Sequence, residues 1–536
     1  MREFLRVKNG GVLFGHCFWR CVKIQDMKKL PVGIQSFEVI RTENYYYVDK
    51  TPFVKKLVDE GKYYFLFRPR RFGKSLFLDT LRQAFLAKRE LFERLFLEEN
   101  WDWSVKYPVV YISFGAGVIR SSPELIETVF SILRRHQEIY QIELTETLYN
   151  KRFEELILRL NQKCRQKVVI LVDEYDKPIL DNIERREVAV EMREALKNFY
   201  SVLKDADPYL KFCFLTGVTK VSLFSGLNNL KDITIHPGYA TICGYTQSEF
   251  ERVFADRLEG LDLEEVKRWY NGYSWLGEPV YNPFDILLFL DLREFRPYWF
   301  ETGTPTFLIK LLVEKKYFIP ELEDLEVGEE LIESFDVDTI RPETLLFQTG
   351  YLTIKEKRSS LPGETVYRLS FPNLEVKKAF SNHLLNYFIE DLALKTRYKL
   401  RLIEAIKTGD VEKIRDVFRA FFASIPHDWY RKTELSGYEG FYASIFYCYF
   451  AALGLDVRVE DASNHGRLDM AVMFGGRCFL FEFKVVELEP SGRALEQLKA
   501  KRYHEKYLGH FREIYLIGVE FSKTERNIVG FAWEKV

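Results

Sequence analysis

The stretch Phe65–Leu86, FLFRPRRFGKSLFLDTLRQAFL, leaves a chain few folds to choose from. The aromatic and apolar run KYYFLF (Lys62–Phe67) suits a buried strand. KSLFLDTLRQAFL then places Leu76, Leu78, Leu81, Phe85 and Leu86 near helical spacing. Between them Gly73, Lys74 and Ser75 close the pattern G-x-x-x-x-G-K-[ST], the loop that cradles phosphates between a strand and a helix. Arg68, followed by Pro69, stands where the opening glycine belongs. Amides of Arg70, Arg71, Phe72, Gly73, Lys74 and Ser75, with Leu76 opening the helix, do most of the cradling, so residue 68 has only to let the chain leave the strand. Lys74 is placed to neutralise the β and γ phosphates and Ser75 to ligate Mg2+, while Arg70 and Arg71 add positive charge beside the anion. The plain alternative is a basic turn ahead of an amphipathic helix.

A second run narrows that choice. KVVILVDEYDKP carries a continuous β-rich segment, Val168–Val172, that ends in Asp173 and Glu174. Such a strand end delivers a Mg2+-binding acid and a water-polarising acid in phosphate-loop ATPases. YPVVYISF (Tyr107–Phe114) and KFCFLTGVTK (Lys211–Lys220) supply two more buried strands. An extra strand between the loop strand and the acidic strand suits the branch that uses a catalytic glutamate, with Thr216 where the γ-phosphate is sensed. Arg185, Arg186 and Arg193, beyond the acidic strand, are candidates to complete a neighbour's site. ATP and Mg2+ are the cofactors this constellation calls for.

Composition excludes several classes. With 47% hydrophobic and 29% charged residues and no low-complexity tract, the chain is a folded protein, long enough at 536 residues for two to four domains. Lys plus Arg (78) balance Asp plus Glu (79), so any nucleic-acid contact is a local patch rather than a global field. Seven cysteines, odd in number and without paired ligand spacing, favour a reducing, cytoplasmic setting. His16, Cys17 and Cys21 form a fortuitous cluster more readily than a metal site. No apolar run approaches the roughly 20 residues a membrane-spanning helix needs.

Longer motifs bring in a resemblance. KKLPVGIQSFEVIRTENYYYVDKTPFVKKLV, FRPRRFGKSLFLDTL, LVDEYDKPIL, LTGVTKVSLFSGLNNLKDIT, WYNGYSW, VYNPFDIL and YWFETGTPTFLIKLL together resemble the AAA-ATPase-like family of prokaryotic proteins whose C-terminal part is similar to PD-(D/E)XK nucleases. The resemblance runs from about Lys28 to the C-terminus. It implies an α/β chain: a parallel-sheet phosphate-loop ATPase over 27–256, a helical region over 257–335, a winged-helix-like region over 336–400 and a restriction-endonuclease-like α/β domain over 401–536. Members begin near the Met-Lys-Lys-Leu-Pro stretch that starts here at Met27. Residues 1–26 are therefore expected to be an over-extended start or a dispensable arm. Within 336–400, YLTI and VYRLSF alternate as two strands after Leu345, Leu346, Phe347 and Gly350. A fold of that kind touches DNA or braces the ATPase, and the brace is the favoured reading.

The last hundred residues hold a second constellation. Glu439 opens an apolar and aromatic helix, Asp469 lies in the strand HGRLDMAVMF, and Glu482 and Lys484 share one face of RCFLFEFKVVE while Phe481, Phe483 and Val485 take the other. Leu480 and Val486 flank the charges on their own face, which predicts a half-buried site. Asp469, Glu482 and the carbonyl of Phe483, with help from Glu439, would ligate Mg2+ or Mn2+, and Lys484 would orient a water or steady the developing charge. The resemblance implies Gln497 as an accessory polar residue and places Tyr503 near the phosphate. E-x-K alone is weak, since alternating charge also marks a solvated sheet edge. The expected activity is nucleic-acid cleavage, DNA before RNA, governed by ATP. The alternative is an ATP-driven switch whose C-terminal domain only binds nucleic acid or protein. A homo-oligomer is compatible with either, and no membrane is involved.

Overall fold

The computed structural model describes residues 27–221, 230–300, 306–329, 339–361, 363–389, 391–425, 439–463 and 466–536. The cluster His16, Cys17 and Cys21 lies outside them, as does the 1–26 arm. The five described cysteines are all free.

The first layer is a five-stranded sheet. β1 (Tyr63–Phe67) feeds through the phosphate loop into α1 (Lys74–Phe85), followed by β2 (Val109–Ser113), β3 (Val168–Asp173), β4 (Leu210–Gly217) and β5 (Lys231–Asp232), in the order β2-β3-β4-β1-β5. Every pairing is parallel. β3 is buried at all six positions, as a Val/Ile/Leu run must be when helices cover both faces. β4 is the strand between the loop strand and the acidic strand, while β2 lies outside β3. Phe67 therefore pairs with Gly217 and Val172 with Leu215, which brings the phosphate loop, Asp173 and Thr216 to one edge. A Cβ at Gly217 would stand 2.4 Å from Asp176 Oδ1 and 2.7 Å from the Tyr175 ring, so glycine lets the loops after β3 and β4 close on each other. Asp176 fastens them, accepting from the amide of Val218 at 3.0 Å and from the amide and hydroxyl of Thr219 at 2.6 and 2.8 Å.

The middle of the chain is largely helical. β6 (Tyr245–Thr246) precedes α2 (Leu263–Tyr270), whose N-terminus Asp262 caps by accepting from Glu264 and Glu265 amides. The interruption NGYSWLGEPVY returns as β7 (Val280–Tyr281), antiparallel to β6, and α3 (Pro283–Leu292) follows. After β8 (Leu325–Val327), the expected order of helix, hairpin and helix is present as α4 (Pro342–Thr349), β9 (Thr353–Leu361), β10 (Glu364–Ser370) and α5 (Leu374–Phe388). The short strand β8, which the residue pattern does not announce, pairs with β10 as a third strand. This region packs directly on the phosphate loop. Phe347 stands edge-on to Phe67 at 6.1 Å, and Gly350, at φ 93°, leaves the room that the Pro69 ring fills.

The C-terminal layer starts with α6 (Leu392–Thr408) and α7 (Glu439–Ala452) and continues as β11 (Asp456–Ser463), β12 (Gly466–Phe474), β13 (Arg477–Val486), α8 (Arg493–Ala500), β14 (Glu513–Ser522) and β15 (Ile528–Lys535). The sheet keeps chain order and is mixed: only β13 and β14 run parallel. Helices cover both of its faces. Phe446 and Phe450 of α7 pack on Phe481 and Phe483, while Leu498 of α8 joins Leu480 and Cys478 beneath. Glu520, buried in β14, caps α8 by accepting from the amides of Ser491 and Gly492 at 2.5 and 3.0 Å.

Gly518 pairs across the sheet with Glu482, and a Cβ there would stand 2.3 Å from the Leu495 amide nitrogen. That atom is backbone, so α8 would have to lift. Gly518→Ala is expected to lower stability by about 1–3 kcal/mol, read as an earlier denaturant midpoint. An unchanged midpoint would show that α8 does not rest on β14 this closely.

Candidate functional site

Two clusters of charged and polar groups emerge from these layers. At the first, Gly73 takes φ 86° as the N-cap of α1, and Arg71 takes φ 68°, so the chain turns with its amides toward the helix N-terminus. Lys74 is buried, and its amine donates to the carbonyls of Arg68 and Pro69, both at 2.9 Å. Burial lowers its pKa against the pull of Asp173 and Glu174. Asp173 is buried at the end of β3; its Oδ2 accepts from Tyr111 at 3.3 Å and its Oδ1 has no partner. Glu174 follows in a left-handed backbone conformation, φ 52°, and burial, then the charge of Asp173, raises its pKa. Thr216, next to Leu66 across the sheet, is buried with its hydroxyl unpartnered.

A cavity of about 620 Å3 opens over this edge, within the size that small-molecule sites occupy. Arg70 through Phe77, Glu174 and Asp176 line it, together with Gly33–Gln35 and Phe284. Asp173 and Thr216 are not in its lining. The Phe72 ring turns into the core, edge-on to Tyr273 at 4.7 Å and to Trp275 at 5.4 Å, so this residue offers the cavity backbone rather than ring. Arg185, Arg186 and Arg193 do not line it either; Arg185 donates to Asn182 and Arg193 to Glu194. Sequence reasoning missed Gly33–Gln35, Asp176 and Phe284. The residue after the acidic pair but one was visible in DEYD, but nothing marked it as a clamp.

Arg68 does not face the cavity. Its side chain is wholly buried, donating to the carbonyls of Phe67 at 3.0 Å, Thr234 at 2.9 Å and Tyr239 at 3.3 Å, with its guanidinium 4.0 Å above the Trp275 ring. The loop is held from below by Trp299 as well, whose indole N–H donates to the Arg70 carbonyl at 3.0 Å and whose amide donates to Glu375 at 2.9 Å.

The second cluster forms where β12 leaves β13. Their ladder ends at Met470 and Phe481, which frees the amide of Phe483, and Asp469 Oδ2 accepts it at 2.8 Å. Glu482 is 1% exposed, deeper than the half-buried position expected. Its Oε1 accepts from Lys484 at 3.0 Å and from the Gln497 amide of α8, and its Oε2 has no partner among the described residues. Lys484 also donates to the Phe483 carbonyl at 2.8 Å and lies 3.7 Å from Glu439, the first residue of α7. Tyr503 is buried beside this group, its hydroxyl near Gly466.

The electrostatics are those of crowded acids. Burial, then Glu482, pushes Asp469 up to about 7, against the Phe483 amide. Burial also raises Glu482 and Glu439, with Lys484 opposing. Burial pulls Lys484 down, but the three carboxylates outweigh it and the net shift is upward. Two carboxylates, one of them with the orphaned buried oxygen Glu482 Oε2, and one main-chain carbonyl fit a hard cation that keeps several waters. Among the described residues no three His, Cys, Asp or Glu side chains converge closely enough to cage a metal by themselves. At the first cluster the buried Asp173 Oδ1, without a partner among the described residues, has the chemistry to take the same kind of ion, while Ser75 lines the cavity and Asp173 does not.

Comparison with known proteins agrees with this division. Residues 31–225 match the family described as a predicted AAA-ATPase, and residues 437–531 match the PD-(D/E)XK nuclease superfamily. A protein of Azotobacter chroococcum mcd 1, described as an uncharacterized protein in the vnfD 5' region, is 51% identical over 513 residues, covering 95% of this chain and 99% of that one. No helix among the described residues is long and apolar enough to cross a membrane.

The raised Asp469 makes a pH prediction. Its carboxyl holds a proton more tightly folded than unfolded, where it titrates near ~3.9. The stability this lends is present below about pH 4 and is lost as pH rises to about 7. Asp469→Asn, which does not titrate, is expected to raise the thermal midpoint at about pH 8 in chelator, the gain shrinking toward pH 4. A gain independent of pH would show that Asp469 is not desolvated.

Proposed function

The chain belongs to the AAA-ATPase-like family with a C-terminal PD-(D/E)XK nuclease-superfamily domain, and from that premise we propose an ATP-governed, metal-dependent nuclease that cleaves nucleic acid, DNA before RNA. The observation that carries the reading is the meeting of Asp469 and Lys484 at the amide and carbonyl of Phe483, with Glu482 accepting from the same lysine. We also propose the division into 27–256, 257–335, 336–400 and 401–536, with the third part acting as a brace beneath the phosphate loop.

At the nucleotide site, the amides of 70–75 bind phosphate oxygens and Ser75 with Asp173 would hold Mg2+, which supplies charge neutralisation across the β and γ phosphates. The Lys74 amine leaves the carbonyls of Arg68 and Pro69 for the phosphates. Glu174, positioned by its left-handed turn at the cavity wall, orients the attacking water and accepts its proton, and Thr216 reads the γ-phosphate from β4.

At the second site, Asp469, Glu482 and the Phe483 carbonyl would hold Mg2+ or Mn2+, with Glu439 at the rim; such an ion acidifies water and draws charge from a phosphodiester. Lys484 then exchanges its carbonyl contact for the water or the scissile phosphate, and Gln497 keeps Glu482 oriented. One observation favours the rival reading of a binding-only domain: the Lys484 amine already occupies both Glu482 Oε1 and the Phe483 carbonyl, the acceptors an ion would use.

Lys74→Ala is expected to abolish binding of a fluorescent ATP analogue, and normal hydrolysis in that variant would refute the loop assignment. Lys484→Ala is expected to slow Mg2+- or Mn2+-dependent cleavage by about 100-fold or more while leaving strand binding in place. Cleavage indifferent to this change points to a contaminant, and a wild-type chain that binds but never cuts supports the rival.

A further inference from the structure

Helices α5 and α6 meet along a face crowded with cations. Lys378, Asn382 and Asn386 recur every fourth residue on α5, with His383 beside them, and Lys395 and Lys399 answer from α6. Lys399 donates to Asn382 Oδ1 at 2.9 Å and Lys395 donates to Asn386 Oδ1. Lys378 lies 4.8 Å above the Trp269 ring. Among the described residues none of the three amines forms an ion pair; their partners are neutral amide oxygens and a ring face.

This arrangement is costly to leave alone. Burial, then Lys395 and Lys378, pushes Lys399 down to about 8. Burial also lowers Lys395 and Lys378, and Arg268 acts in the same direction on Lys378, which Glu265 only partly offsets. His383 is lowered by burial and by Lys395. Partly desolvated cations that repel one another destabilise a fold unless an anion joins them. Amide side chains add donors that a phosphate oxygen accepts.

We infer that this lysine and asparagine face is a binding site for the phosphodiester backbone of a nucleic-acid strand, separate from the acids at Asp469 and Glu482. The inference rests on the nuclease reading. A strand suits the face better than a single small anion, because Lys378 to Asn386 spans roughly 12 Å of helix. The placement suits it too. Lys378 lies against Gly454, just past the end of α7, and Glu439 opens that same helix, so the Lys378 end of the face stands about 20 Å of helix from Glu439.

The test is binding of fluorescently labelled single- and double-stranded DNA to the full chain in EDTA, followed from about 50 to about 200 mM salt. Lys378→Gln, Lys395→Gln and Lys399→Gln combined are expected to weaken binding about tenfold or more at low salt. The slope of log affinity against log salt should fall by about 2 to 3, close to one for each phosphate no longer neutralised. Removing repulsion, the triple variant should melt no earlier than wild type. If it does melt earlier, Lys399→Gln alone is compared with Lys399→Arg, and only the arginine form is expected to keep the wild-type slope. Unchanged affinity and slope overturn the inference and leave the nuclease reading intact, whereas strong binding that depends on the lysines without any cutting in Mn2+ does the reverse. A site for free phosphate would show itself differently, with inorganic phosphate raising the wild-type melting point alone and strand affinity equal in both proteins. That result also overturns the inference.

Discussion

Arg68 ties the strand end that launches the phosphate loop to the segment 234–239 and to Trp275, and the rest of the ATPase face depends on that tie. A guanidinium with no carboxylate partner in the interior is expensive to desolvate. Three main-chain carbonyls and an indole face offset the expense, and burial still pushes its pKa down to about 10. Where a glycine would leave the chain free to turn, this arginine fixes the turn from inside. The carbonyls of Arg68 and Pro69 are held by Lys74 of the loop itself, and that of Arg70 by other parts of the chain.

Those other parts belong to the second half of the sequence. Trp299 reaches the Arg70 carbonyl with its indole and Glu375 of α5 with its amide. Glu375 in turn lies beside Asp285 of α3, fully buried, where burial and the neighbouring carboxylate hold the Asp285 pKa well above its ordinary value. Trp299 thus ties the phosphate loop to α5. That helix packs its Phe388 ring against Phe441 of α7, the helix that Glu439 opens. A line of packed groups thus joins the cavity at the phosphate loop to the helix that Glu439 opens, and the nucleotide control proposed above would act along it.

Much of this was legible in the residues. GKS, the DE pair and E-x-K each mark local geometry: an amide cradle, a strand end, a shared strand face. Local geometry is what sequence spacing encodes. Arg68 was legible only as a tolerated departure, because its partners at 234, 239 and 275 are more than a hundred and fifty residues away. The depth of Glu482 was understated for a related reason. Alternation along β13 reports its two faces, but not that α8 lies close enough over Gly518 to bury the acid. Asp176 and Glu520 escaped notice altogether, since an acid that clamps amides looks in sequence like any solvated one.

The most direct test of the account is the rate at which the full chain cuts a labelled DNA strand in Mg2+, measured with and without ATP in wild type and in Lys74→Ala. Coupling through Trp299 predicts that ATP changes the wild-type rate and that the response disappears with the loop lysine. Equal wild-type rates in the presence and absence of nucleotide would contradict it.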